Sequence, residues 1–160
     1  MKRFVSPLVS LIMLTALFGC AAKFTLPVQY TNDNQCFKQA ITLLNEARDL
    51  SNPPGSEQQS SFKLPQETED KMFANIDEAL RLSDRISDKY LDYLHPQLRD
   101  MFRNKLIKGT EIWYEGIKDN NSGKVAEGFQ KQIEGDKLVT EWLEWWNRNG
   151  QGIADKVFAE

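Results

Sequence analysis

The sequence has few of the residues from which catalytic and metal sites are built. It contains one histidine, His95, and two cysteines, Cys20 and Cys36, which are too few for a His/Cys metal cluster. It has no glycine-rich phosphate loop, no zinc signature and no serine elbow motif. His95 precedes Pro96 at an expected helix corner, a place typical of a surface histidine. We therefore predict no enzyme activity, no cofactor and no metal.

The chain also lacks an excess of basic residues and any β pattern. It carries 20 Lys and Arg against 23 Asp and Glu, a net charge of −3, and such a mildly acidic chain argues against a nucleic-acid partner. No segment alternates apolar and polar residues as a half-buried strand does, and no internal repeat is visible. The remaining periodicity is helical.

The longest apolar run lies at the N terminus, over residues 4–18, directly after Lys2 and Arg3. It is too short for a comfortable bilayer crossing, and it leads into the tetrapeptide Leu17-Phe18-Gly19-Cys20. This arrangement resembles the lipobox and signal peptide of bacterial lipoproteins. The resemblance implies that residues 1–19 are removed and that Cys20 is acylated on both its sulfur and its new amine. The alternatives are an uncleaved membrane anchor and a secretory signal cut elsewhere.

The same resemblance implies a location. Several acyl chains on Cys20 give durable membrane attachment, which a single chain does not. Ala21 follows the cysteine. Because an aspartate at that place retains lipoproteins at the inner membrane in Gram-negative bacteria, its absence implies the inner leaflet of the outer membrane, facing the periplasm. Removing residues 1–19 leaves a net charge of −5 and no polybasic patch, so the lipid is the expected membrane contact.

The remaining sequence predicts one helical domain. Residues 20–33 are expected to form a lipidated tether and residues 34–160 the domain. Apolar periodicity and helix-stop signals predict helices over about 34–50, 66–94, 96–118 and 124–149, with Gly150-Gln151-Gly152 ending the last one. The paired prolines at 53 and 54 predict a long exposed loop over 51–65. This pattern is typical of an all-α, antiparallel up-down four-helix bundle with a long loop between helices one and two.

Several polar residues fall on apolar faces of the predicted helices. Lys105 lies in the apolar stripe of the third helix, and Asp136 lies in the middle of an apolar stripe of the fourth helix, at the same expected height. We predict that this stripe of the fourth helix faces the core; it comprises Val125, Phe129, Ile133, Val139 and Leu143. The sequence predicts that the two form an ion pair within a buried polar layer. That layer has two interpretations, a structural pair and a polar pocket for a small ligand. The proposed layer comprises Lys105, Asp136, Ser83, Ser87 and Gln132.

Glycines repeat at seven residues on both of these helices, at 109 and 116 and at 128 and 135. Glycine inside a helix costs about 1 kcal/mol relative to alanine, so a compensating contact is expected. Either the two backbones approach closely, or space is left for a guest. Cys36 lies on an apolar helical stripe with Ala40 and Leu43, which predicts a buried thiol.

Three tryptophans, Trp142, Trp145 and Trp146, lie within about one turn of the fourth helix. They point to a second apolar side of that helix, which needs its own cover. The first helix and the segment 153–158 are one candidate cover. Otherwise the rings form an exposed patch, of the kind that binds a protein, a glycan or lipid headgroups.

Two functions follow from these patterns. The first is a lipid-anchored interaction or assembly protein that holds an envelope protein through a helical surface. In size and cellular location it would be comparable to small secretion pilotins. The alternative is a helical bundle that binds a small molecule in its polar core layer.

Overall fold

The computed structural model describes residues 26–51 and 65–158. These residues are almost entirely helical and include no strand, which confirms the all-α prediction for the described part of the chain. The predicted signal peptide, the lipidated Cys20 and most of the predicted 51–65 loop lie outside the described residues.

The described residues begin with a short 3₁₀ turn, followed by α-helices that we number in chain order. Helices α4 and α5 are joined without interruption by a π-helical segment, so that 98–121 forms one long rod. The elements are the 3₁₀ turn Val28–Tyr30, α1 Thr31–Ser51, α2 Gln66–Ser83, α3 Asp88–Leu94, α4 Leu98–Met101, the π segment Phe102–Ile107, α5 Lys108–Asn121 and α6 Val125–Val157.

The predicted continuous helix over 66–94 is wrong, because the chain turns between α2 and α3. Ser87 is the N-cap of α3, and its side chain accepts a hydrogen bond from the Tyr90 backbone N–H at 3.2 Å. Asp33 of α1 accepts a hydrogen bond from the Ser87 backbone N–H. Arg103 donates to the carbonyl oxygens of Ser83, at 2.7 Å, and Ile86. Capping and arginine contacts therefore satisfy the backbone groups that the break exposes.

The predicted stop at Gly150 is also wrong, since α6 continues to Val157. Ile153, Ala154 and Val157 are buried, so the last two turns of α6 belong to the core. A Cβ at Gly150 would lie 2.6 Å from the Trp146 ring, which shows that the glycine makes room for the indole inside the helix. Packing of this segment outweighs the low helix propensity of glycine.

The helices pair as neighbours in sequence. Helix α1 packs on α2, and α5 packs on α6, while the short α3 and α4 cover the end where the two pairs meet. The main core gathers at this end around Phe37, Tyr90, Phe102 and Trp142. A smaller cluster, which contains Met72, Ile76, Tyr114 and Ala47, lies between α1, α2 and α5.

The start of the described chain belongs to the folded body. Leu26 and Tyr30 pack against the main core, and Tyr30 contacts the rings of Tyr90 and Tyr93. Part of the segment predicted as a tether thus contributes to the domain from Leu26 onward. The Cys36 side chain is 3% exposed, as predicted for a buried thiol.

Candidate functional site: a cleft between α1 and α6

Helices α5 and α6 approach each other closely at glycine residues. A Cβ on Gly135 would lie 2.6 Å from the Gly109 carbonyl oxygen, and one on Gly116 would lie 2.6 Å from the Gly128 carbonyl oxygen. No real side chain fits at such distances, so the two backbones touch at two levels, seven residues apart. Of the two predicted explanations for these glycines, close backbone approach is confirmed.

On another side of α6, the helices leave a cleft of about 370 Å³ between α1 and α6. Its α1 wall includes Phe37, Ile41 and Leu44, and its α6 wall includes Val139 and Leu143. The volume lies within the range of about 300–1,000 Å³ that small-molecule sites occupy. The lining is mainly apolar, and it further includes Ile76 of α2, Leu106, Trp113, Trp142, Trp146 and Phe158.

The three clustered tryptophans are buried rather than exposed. Trp142, Trp145 and Trp146 are 2%, 7% and 9% exposed, so they do not form the aromatic surface patch that the sequence left open. The Trp142 and Trp146 rings stack at 5.1 Å and form part of the cleft wall. Trp145 donates its indole N–H to Gln97 at 3.1 Å. Trp142 and Trp146 therefore form an aromatic wall of the cleft, while Trp145 packs outside it.

A buried hydrogen-bond network joins α1 to the C-terminal end of α6. The Asn34 side chain donates to the Val157 carbonyl oxygen at 3.2 Å and accepts from the Tyr90 hydroxyl at 2.6 Å. Burial, together with the nearby Asp33 carboxylate, raises the pKa of the Tyr90 hydroxyl well above its ordinary value. This junction holds α1 against α6 at one end, whereas the cleft separates them farther along.

Polar side chains reach the cleft from both walls. Asn45 and Arg48 of α1 and Asp136 of α6 are among the lining residues. Thr110 is buried, and its hydroxyl donates to the Leu106 carbonyl oxygen at 2.8 Å. An apolar site that has a few polar groups at its edge favours an amphipathic occupant over a fully apolar one.

The predicted Lys105–Asp136 ion pair is wrong. The Lys105 Nζ lies 2.6 Å from the Glu141 Oε2, and their hydrogen bond lowers the pKa of the Glu141 carboxyl. Lys105 falls inside the π segment, whose wider turn rotates all later side chains relative to an ideal α-helix. A constant step of 100° per residue does not hold through this segment, and Lys105 pairs with Glu141 in place of the predicted Asp136.

The other members of the predicted polar layer do not share one site. Ser83 is fully buried and its hydroxyl donates to the Leu80 carbonyl oxygen at 2.6 Å, while Ser87 is exposed as a helix cap. Gln132 is half-buried beside Gly116, and Asp136 lines the cleft. The polar layer is thus a set of separate local contacts, of which only Asp136 belongs to the cleft.

Sequence reasoning missed the α1 wall of the site. It assigned one apolar stripe to this helix, whereas Phe37, Ile41 and Leu44 form a second line at spacings of four and three residues. That spacing is itself a helical signal, and it indicates that α1 is apolar on two adjacent sides.

The α6 stripe predicted to be core is exposed along its first half. Val125, Phe129 and Ile133 are 64%, 53% and 49% exposed. They lie on the same side of the helix as Val139 and Leu143, which line the cleft. The prediction is wrong for these three residues because no described helix packs against that side of α6 there. We call Val125, Phe129 and Ile133 the exposed stripe.

Comparison with known proteins gives no further identification. No protein-family model, curated protein or solved structure matches the chain. Among residues 26–51 and 65–158, no three His, Cys, Asp or Glu side chains are grouped to hold a metal ion. No helix in this part of the chain is long and apolar enough to span a membrane.

Proposed function

We propose that this chain is a lipid-anchored envelope protein that works by binding rather than by catalysis. In this proposal Cys20 carries the lipid and the protein faces the periplasm from the outer membrane. It acts as an interaction or assembly lipoprotein, comparable to a pilotin, that holds an apolar segment of an envelope partner. The proposed lipid attachment and outer-membrane location are supported by the tetrapeptide Leu17-Phe18-Gly19-Cys20 and by Ala21, which follows it.

We further infer an up-down arrangement in which α1, α2, the 98–121 rod and α6 are the four long members. The α1–α2 and α5–α6 pairings support it, and so does the contact of α2 with α5. In such a ring of four helices, α1 and α6 close the last seam, and this is the seam that contains the cleft.

One observation carries the binding proposal, namely the open apolar cleft backed by stacked tryptophans. The main core buries Phe37, Tyr90, Phe102 and Trp142, yet about 370 Å³ of space remains between α1 and α6. An open cleft with a mainly apolar lining exposes apolar surface to water, so covering that surface with an apolar segment is favourable. A groove between two helices is a known way to hold an apolar helical segment of a partner.

Site-specific photocrosslinking in cells tests this function. A crosslinking amino acid replaces Leu143, inside the cleft, or Glu144, the next residue and exposed, in the full chain. We expect one envelope polypeptide to be captured from position 143 but not from 144. A synthetic peptide of the captured segment should then bind the purified chain and lose most of its affinity for Leu143→Arg. Equal capture from both positions, or no second polypeptide, would contradict the proposal.

The second candidate is a small-molecule binder, and the polar residues of the cleft favour it. Asn45, Arg48 and Asp136 could fix the polar end of an amphipathic molecule whose apolar part fills the space. Mass spectrometry of an organic extract from the natively purified chain tests this candidate. We expect one compound in near-stoichiometric amount, reduced in a Val139→Phe variant. An extract without such a compound, or with equal amounts in both samples, would exclude it.

A further inference from the structure

The apolar face of α6 has a symmetric spacing. Phe129, Ile133, Asp136, Val139 and Leu143 follow one another at steps of four, three, three and four residues. They lie on one side of the helix, because a step of three or four residues is close to one full helical turn. The pattern reads the same in both directions from Asp136. A helix with such a face matches a second copy of itself that runs the opposite way.

The two halves of this face complement each other. Phe129 and Ile133, on the N-terminal side of Asp136, are 53% and 49% exposed and have no cover in the described structure. Val139 and Leu143, at the same distances on the other side, line a cleft with unfilled space. One half therefore presents protruding apolar side chains and the other half presents a recess.

We propose that two copies of the chain dimerise through α6, with the exposed stripe of each copy seated in the cleft of the other. An antiparallel pair centred on Asp136 places Phe129 opposite Leu143 of the second copy and Ile133 opposite Val139 of the second copy. Both contacts occur twice, as a two-fold axis requires, and the assembly closes at two chains. A second copy placed in this way covers the stripe and fills the cleft at once.

Asp136 is the charged residue at the centre of this face. The two-fold axis brings the Asp136 carboxylates of the two copies near each other, which is unfavourable because like charges repel. Lys137 follows it in the sequence and brings a positive charge near the axis, which offsets part of this repulsion. A polar position in an otherwise apolar helical seam costs stability but disfavours shifted registers.

This inference rests on the proposed function, because the second copy occupies the same cleft that an envelope partner would use. The dimer is then the state of the protein without a bound partner, and partner binding competes with self-association. The following experiment separates failure of the dimer from failure of the cleft.

Disulfide crosslinking in membranes of cells that express the full chain tests the pairing. The double variant Phe129→Cys with Leu143→Cys cannot crosslink within one chain, because the positions are about 21 Å apart along α6. The matched control is Gln130→Cys with Glu144→Cys, which has the same spacing on an exposed flank of the helix. After mild oxidation we expect the first pair to give at least fivefold more covalent dimer than the control. Wild type serves to subtract any dimer formed through Cys20 or Cys36.

A second variant, Phe129→Glu, tests the dimer independently in case the cysteine pair disturbs folding. Phe129→Glu changes a side chain that is more than half exposed, so the helical circular dichroism should be unchanged. In sedimentation of the purified chain in mild detergent we expect wild type to be a dimer and Phe129→Glu a monomer. The monomer should bind more of the dye anilinonaphthalene sulfonate, because its cleft is uncovered.

Each outcome has a defined meaning. A monomeric wild type, or equal crosslinking by both cysteine pairs, overturns the dimer. If the dimer fails but the dye still binds wild type and is lost in Leu143→Arg, the cleft remains a binding site and the proposed function stands. If neither dimer nor dye binding is found, both proposals fail.

Discussion

Helix α6 meets α5 through Gly128 and Gly135, whose added Cβ atoms would lie 2.5 to 2.6 Å from other atoms. Where α6 faces α1 it presents Val139 and Leu143, and about 370 Å³ of space remains between the two helices. The same helix thus takes part in a contact with no room for one methyl group and in one that is unfilled. The difference shows that close packing in this protein depends on which face carries the glycines, and that the open seam is where binding is feasible.

The largest expected effect comes from adding one methyl group to the closed face. Gly135→Ala places a Cβ 2.6 Å from the Gly109 carbonyl oxygen and from Trp113 backbone and side-chain atoms, so α5 and α6 must separate. We expect the free energy of unfolding to fall by about 2–3 kcal/mol. Urea denaturation followed by circular dichroism measures the change.

A matched control lies on the same helix. Gly152 has no atom within 4 Å of an added Cβ, so Gly152→Ala should raise stability by up to about 1 kcal/mol through helix propensity alone. If the two variants changed stability in the same direction, the close contact of α5 and α6 would not be what holds this face together.

The next effect concerns the end where α1 is fastened to α6. Asn34→Ala removes the hydrogen bond to the Val157 carbonyl oxygen and leaves the buried Tyr90 hydroxyl without its acceptor. We expect a loss of about 1–3 kcal/mol in the free energy of unfolding. Adding Tyr90→Phe should recover part of the lost free energy, because the buried hydroxyl that lacks an acceptor is then absent. Strictly additive losses in the double variant would argue against this network.

Alkaline pH should weaken the same junction. The pKa of the Tyr90 hydroxyl is raised in the folded state, chiefly by burial, while an unfolded tyrosine ionises with its ordinary pKa of 10.0. Folded Tyr90 therefore keeps its proton at a pH where the unfolded chain loses it. The contribution of Tyr90 to the free energy of unfolding is fully present below about pH 10 and is lost as the pH rises further. Urea midpoints measured between pH 8 and pH 11 should decline less steeply in Tyr90→Phe. Unchanged slopes would contradict the assignment.

The smallest effect is expected in the open seam. Leu143→Phe adds volume to a side chain that faces the cleft, where space exists, and should change stability by less than about 1 kcal/mol. The same replacement at the fully buried Leu98 should cost about 1–3 kcal/mol. Thermal unfolding of the two variants compares them directly. A large loss at position 143 would mean that the seam is closed in solution.

The long helices were predictable because their signals are local. Apolar periodicity and the breaks at His95-Pro96 and at the turn ending in Gly123 depend on neighbouring residues, and α1, α5 and most of α6 follow them. The heptad glycines also predicted close backbone approach, which is one of the two outcomes that the spacing allowed. Burial of Cys36 followed from its place on an apolar stripe.

The candidate site was less predictable because its position depends on helix phase and on distant partners. Lys105 lies in the π segment and pairs with Glu141, and the sequence-based helix phase did not include that wider turn. The α2–α3 break depends on Asp33 and Arg103, which are remote in the chain from Ser87.

The sequence by itself determined that this protein is helical, where its long helices begin, and that two of them approach through glycine. Propensity, capping and periodicity act over a few residues, so these properties can be recognised in any short stretch. Only the tertiary structure decided that the tryptophans are buried, that Val125, Phe129 and Ile133 are left uncovered, and that α1 and α6 diverge around a cleft. Those outcomes depend on which helices meet and at what angle, and side-chain packing between distant segments sets both.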